Sequence, residues 1–73
     1  MTIKDFIEKF AEAAEIEDAA ALTGATEFRE LDEWNSLAAL SVISMFEEEL
    51  DKELPVTEFK KARTIDDLFA LAQ

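Results

Sequence analysis

The sequence predicts an all-α domain: a small four-helix bundle with three longer helices, one short helix and a long loop between the first and second. Three observations carry that expectation. Apolar residues recur at helical spacing in separate stretches, capping residues stand at the starts of those stretches, and breakers are scarce, with one Gly and one Pro. Residues 1–73 read as a single domain. That is close to the length below which a hydrophobic core no longer suffices alone.

In the first stretch Ile3, Phe6, Ile7, Phe10 and Ala14 share a face, and Lys4, Asp5, Glu8, Lys9, Glu12 and Glu15 lie opposite. Thr2 followed by Asp5 reads as a capping pair, so the spacing predicts a helix over about residues 3–15. Residues 16–35 show no sustained period. Thr23-Gly24-Ala25-Thr26 reads as a turn, and Phe28 and Leu31 as apolar anchors beneath an acidic loop. A connection of about twenty residues is long for a compact domain, and such loops are usually functional or disordered. The two anchors predict an ordered one.

The second helix is expected over about residues 36–50. At ~100° per residue, Ala39, Leu40, Val42, Ile43, Phe46 and Leu50 form a broad inward face. Leu37 falls instead on the polar stripe Leu37-Ser41-Ser44-Glu48, with Met45 near its edge. Pro55 is expected to stop this helix. A short helix around Thr57 to Ala62, with Val56 and Phe59 pointing inward, comes next. Thr64-Ile65-Asp66-Asp67 then reads as an N-cap with acids in the first turn, opening a last helix over about residues 65–72.

Composition narrows function. The chain has no Cys, so no disulfide or thiolate site, and no His, the usual general base and zinc ligand. An enzyme acting alone is not expected. Eighteen acids against seven bases give a net charge of −11, which argues against nucleic acid and anionic membranes and favours basic protein surfaces. An apolar content of 49% is too high for an acidic disordered chain. No stretch reads as membrane-spanning or as a signal peptide, so a soluble, cytoplasmic monomer is the expectation.

One position stands out. In Asp32-Glu33-Trp34-Asn35-Ser36-Leu37 an irregular acidic stretch meets the apolar run Leu37 to Leu50. A serine there lies beside the free N–H groups of a helix start, where a phosphate is also well placed. A serine before an apolar helix is most often simply the N-cap, but Asn35 could equally fill that place and leave the Ser36 hydroxyl free. Trp34 and the Phe residues read as packing. Residues 27–53 hold nine acids and two bases, which fits either a solvated face or a docking surface for basic partners. No calcium loop exists, since Gly24 lacks flanking acids, and no metal site is expected.

Together these features resemble the acyl carrier protein family, small acidic helical domains that carry acyl groups on 4′-phosphopantetheine. The resemblance rests on Trp34-Asn35-Ser36-Leu37 where the family has Asp-Ser-Leu, on Phe46-Glu47-Glu48-Glu49-Leu50, on Leu54-Pro55 and on Thr64-Ile65-Asp66-Asp67-Leu68. It spans almost the whole chain. It implies a covalent phosphopantetheine on Ser36, attached by a phosphopantetheinyl transferase. It further implies contacts from acyl-processing enzymes to Leu37, Met45, Glu47 and Glu48. Phe28, Leu40, Phe46, Leu54, Phe59, Ala62 and Leu68 would line a cleft for the acyl chain, and core packing explains them equally well. Fatty acyl, malonyl, aminoacyl and polyketide cargoes all remain open. The chain departs from the family at Asn35, where the usual Asp loses its charge, and at Ala38 and Ser41, where acids are common. The second departure implies a specialised set of partners. The other reading is an acidic helical adaptor for a basic partner, with no prosthetic group.

Overall fold

Thr2 opens the first helix. In the computed structural model, which describes residues 1–73, its hydroxyl accepts from the Asp5 N–H at 3.2 Å while the Asp5 carboxylate accepts from the Thr2 N–H at 3.5 Å. This capping box satisfies two of the donors that every helix start leaves free. Helix α1 runs Ile3–Ala13, α2 Ser36–Glu49, α3 Val56–Lys61 and α4 Ile65–Ala72. The fold is the all-helical bundle that the periodicity predicts, with three longer helices and one short one.

Helix α1 stops two residues short of the expected end near residue 15. Glu15 has φ 58°, which turns the chain left-handed. The Ile16 N–H then reaches the Ala11 carbonyl at 2.8 Å and the Glu15 N–H the Glu12 carbonyl at 3.3 Å. These are the paired bonds of a Schellman motif, built here with Glu where Gly is usual. Ile16 tucks into the core behind the turn.

The long loop is ordered. Two 3-10 turns, Ala19–Ala21 and Phe28–Glu30, break it up. At the predicted turn, the Thr23 N–H donates to Thr26 Oγ1 at 2.9 Å and the Thr26 N–H to the Thr23 carbonyl at 3.1 Å. The loop is then tied to the start of α4: the Asp66 N–H donates to the Gly24 carbonyl at 2.8 Å and the Ile65 N–H to the Thr26 carbonyl at 3.1 Å. A Cβ at Gly24 would overlap the Asp66 carboxylate, so the glycine permits this close approach.

Helix α2 ends before Pro55 is reached. Glu47, Glu48 and Glu49 put three carboxylates at the negative end of the helix dipole with no base in the last turn. Asp51 turns left-handed at φ 53°, and the Lys52 N–H folds back to the Phe46 carbonyl at 2.9 Å. Pro55 is instead the residue from which α3 starts. Val56, expected inward, begins that helix on the outside and is 55% exposed; Phe59 is the residue that turns in.

All of the buried residues are apolar, and α1 is the hub, packing along α2, against α4 and on the first 3-10 turn. Phe6 meets the Phe46 ring edge-on at 5.8 Å and Phe69 at 5.5 Å. Phe10 stacks on Trp34 at 5.9 Å, and Trp34 meets Phe28 at 4.9 Å. By contrast, the one ion pair, Lys9 Nζ to Glu49 at 3.2 Å, is solvent-exposed and is worth at most about 1 kcal/mol.

The inward face of α2 is turned relative to the expectation. Ala38, Val42, Met45 and Phe46 are buried, while Leu40 is 62% exposed. Met45 lies only about 60° around the helix from Val42, and Leu40 about 160°. Where a helix is apolar on most sides, the neighbour it packs against chooses the face, and α1 chooses the Met45 side.

The left-handed Glu15 supplies a direct test. A non-glycine residue there costs about 1–2 kcal/mol in backbone strain. Glu15→Gly should therefore raise the thermal midpoint by roughly 4–8 °C per kcal/mol recovered, measured by circular dichroism.

Candidate functional site

The site is built by Trp34 and Asn35. The Trp34 ring lies against Phe10, Phe28 and Phe59 (6.2 Å), which fixes the end of the loop. The next residue, Asn35, is fully extended at φ −156°, ψ −179°, and serves as the N-cap of α2. Its Oδ1 accepts from the Ala38 N–H at 2.9 Å, and its Nδ2 donates weakly to the Glu33 carbonyl at 3.4 Å. The Ala39 N–H is satisfied by the Asn35 carbonyl at 3.1 Å.

Of the two residues that could cap the helix, Asn35 does so, and this settles the position of Ser36. The serine is the first residue of a 14-residue helix, exposed, with its hydroxyl in no hydrogen bond. The N–H groups of Ser36 and Leu37 also lack partners within the fold. They are the free donors of the helix start, at its positive end. A phosphodiester on Ser36 Oγ fits this place: its charge meets the dipole, two N–H groups lie close by, and no packed side chain needs to move.

Leu37, next along, is 67% exposed, and Glu47 and Glu48 are exposed further down the helix. A shallow depression of about 460 Å³ runs along this outer side, lined by Leu37, Leu40, Ser41, Ser44, Met45, Glu48 and Glu49 of α2 and by Glu12 and Ala13 of α1. Met45, expected with Leu37 as a partner contact, is only 3% exposed, packs in the core and also lines this depression. Leu40, grouped there with the cargo-lining residues, is on the outside with Leu37. Of the remaining cargo-lining candidates, Phe28, Phe46, Leu54, Phe59, Ala62 and Leu68 are all buried in the closed apolar core, where packing alone accounts for them.

No cluster of carboxylates comes together in metal-ligating geometry, and no ionisable or nucleophilic side chain is buried. The one carboxylate whose acidity is clearly displaced is Asp67, far from Ser36 in sequence. N–H donation from Arg63 (2.9 Å) and Thr64 (3.1 Å) holds its pKa below the ordinary value. Its role is to cap α4.

The fold is thus a small helical bundle with an exposed, unbonded serine at the start of its longest helix. Residues 4–72 match the family described as the phosphopantetheine attachment site, and the chain belongs to that family. Its members bear 4′-phosphopantetheine covalently, and this chain is a carrier domain of that kind. No curated protein and no solved structure matches the chain significantly.

The cap is testable on its own. Asn35→Ala removes the bond to the Ala38 N–H and should cost about 1 kcal/mol, within a range of about 0.5–2 kcal/mol. Asn35→Asp keeps the acceptor and adds a charge at the positive helix end, so chemical denaturation should rank Asp at or above Asn, and both above Ala.

Proposed function

We propose that the chain carries acyl, aminoacyl or polyketide groups as thioesters on a phosphopantetheine attached to Ser36, and presents them to other enzymes along α2. The observation that supports this most strongly is the Ser36 hydroxyl, exposed and unbonded at a helix start whose cap is supplied by Asn35. The bound arm supplies the thiol, which a chain without cysteine lacks.

The attachment needs a second protein. Ser36 Oγ forms the new bond to phosphorus as the pyrophosphate bond of coenzyme A breaks and adenosine 3′,5′-bisphosphate leaves, and it must lose its proton, yet no side chain here accepts a hydrogen bond from it and the chain has no histidine. A phosphopantetheinyl transferase must bring that base. On this reading the chain has no catalysis of its own.

The outer side of α2 divides docking into two tasks. Leu37 and Leu40 stand near Ser36, and Glu47 and Glu48 begin roughly 16 Å further along the axis at 1.5 Å per residue. Fully burying an aliphatic side chain is worth about 1.5–3 kcal/mol, against about 0.2–1 kcal/mol for an exposed ion pair. The leucines thus supply affinity, and the acids steer basic surfaces into register. Leu40 joins Met45 along this face.

The test is the intact mass after incubation with coenzyme A, magnesium and a phosphopantetheinyl transferase. One phosphopantetheine should be gained, the gain should vanish in Ser36→Ala, and Leu40→Ala should slow it while leaving the helical circular dichroism spectrum unchanged. No gain with several transferases would overturn the carrier reading and leave an acidic adaptor.

A further inference from the structure

Beyond the attachment point, α2 is uncharged on its way to Phe46, in a chain whose net charge is −11. Helix residues four apart form continuous rows. Ser36, Leu40 and Ser44 make one row, and Leu37 and Ser41 the row beside it. The depression that Leu37, Leu40, Ser41 and Ser44 help to line therefore begins beside Ser36. The two leucines are 67% and 62% exposed, and nothing in the fold covers them. The hydroxyls of Ser41 and Ser44 are in no hydrogen bond, not even the bond to the preceding turn that a helical serine can make. The fold draws little on these four side chains.

Phosphopantetheine, the group that the family bears on its serine, presents a matching chemistry in the same order. Its phosphate is followed by a carbon with two methyl groups, then by two amides joined through β-alanine, then by the thiol. From the helix start, α2 offers free N–H groups, then two exposed leucines, then two unpaired hydroxyls. The spacing agrees as well. Ser41 and Ser44 are about 4.5 Å apart along the axis at 1.5 Å per residue, and the two amide nitrogens are roughly 5 Å apart when β-alanine is extended. Ser44 lies about 12 Å beyond Ser36. The second amide lies about ten bonds, or roughly 12 Å, beyond phosphorus.

We infer that this part of α2 is a resting site for the arm. The methyl groups lie against Leu37 and Leu40, and the amide N–H groups donate to the hydroxyls of Ser41 and Ser44. Each contact is weak, but the arm is tethered at Ser36, and a short tether gives an effective concentration in the millimolar range. The closed aromatic core takes no part. The inference rests on the carrier reading and adds a consequence to it. The leucines that hold the resting arm are those that a docking enzyme buries, so docking displaces the arm from α2 and frees its thiol for that enzyme.

NMR of the chain loaded from coenzyme A carrying carbon-13 in its two methyl groups tests this. Cross-relaxation from those methyls to the Leu37 and Leu40 methyls is the expected result. In the chain with both Ser41→Ala and Ser44→Ala, the ratio of resting to free arm, read from the relaxation of the same methyls, should fall at least roughly fivefold, as expected for loss of two neutral hydrogen bonds. Alanine favours the helix, so that fall reports the arm and not unfolding. Cross-relaxation to the Phe28 or Phe59 rings would put the arm in the core and overturn the resting site. So would methyls that relax as those of a free chain, and so would an unchanged ratio in the double variant. Failure of the carrier reading would appear earlier and separately, as no mass gain at Ser36.

Discussion

Trp34 is the residue through which the fold and the site are joined. Its ring is nearly parallel to Phe10 of α1, with 8° between the planes, and it touches Phe28 of the loop and Phe59 of α3. Each such aromatic pair adds about 0.5–1.5 kcal/mol beyond the area it buries. A net charge of −11 pushes the chain apart, and the lone exposed ion pair offsets little of that. Ring packing holds the molecule together, and it fixes the backbone one residue before the cap and two before Ser36.

From there the polar groups have local tasks. Asn35 closes the start of α2, Thr2 and Thr64 close α1 and α4, and Asp67 and Arg29 close the corner after α3. Because Asn35 is the cap, Ser36 is structurally dispensable. A residue that the fold does not need can carry a substituent without cost to the fold, which suits an attachment point better than a serine serving as its own cap.

The features that could be read from the sequence are those set by neighbours within about four residues. The boxes at Thr2 and Thr64, the turn at Thr23 to Thr26 and the α4 boundaries all follow from such short-range bonds. The face of α2 could not be read as well. With no charge between Ser36 and Phe46, its wheel offers more apolar width than one partner can cover, so Leu40 and Met45 exchange places. Arg29 is the other case. In sequence it is a lone base between acids, and its partners, the carbonyls of Phe59 and Ala62, lie 30 and 33 residues away. Only the folded chain brings them together.

The central physical claim is that the start of α2 is already formed to receive a phosphodiester. Amide nitrogen–proton NMR spectra recorded before and after modification address this most directly. Shifts confined to the amides of Asn35 to Ser44, with those of α1 and α4 unmoved, are the expected result. Changes spread through α1, α4 and the aromatic cluster would show that the site is made by the modification and contradict the claim.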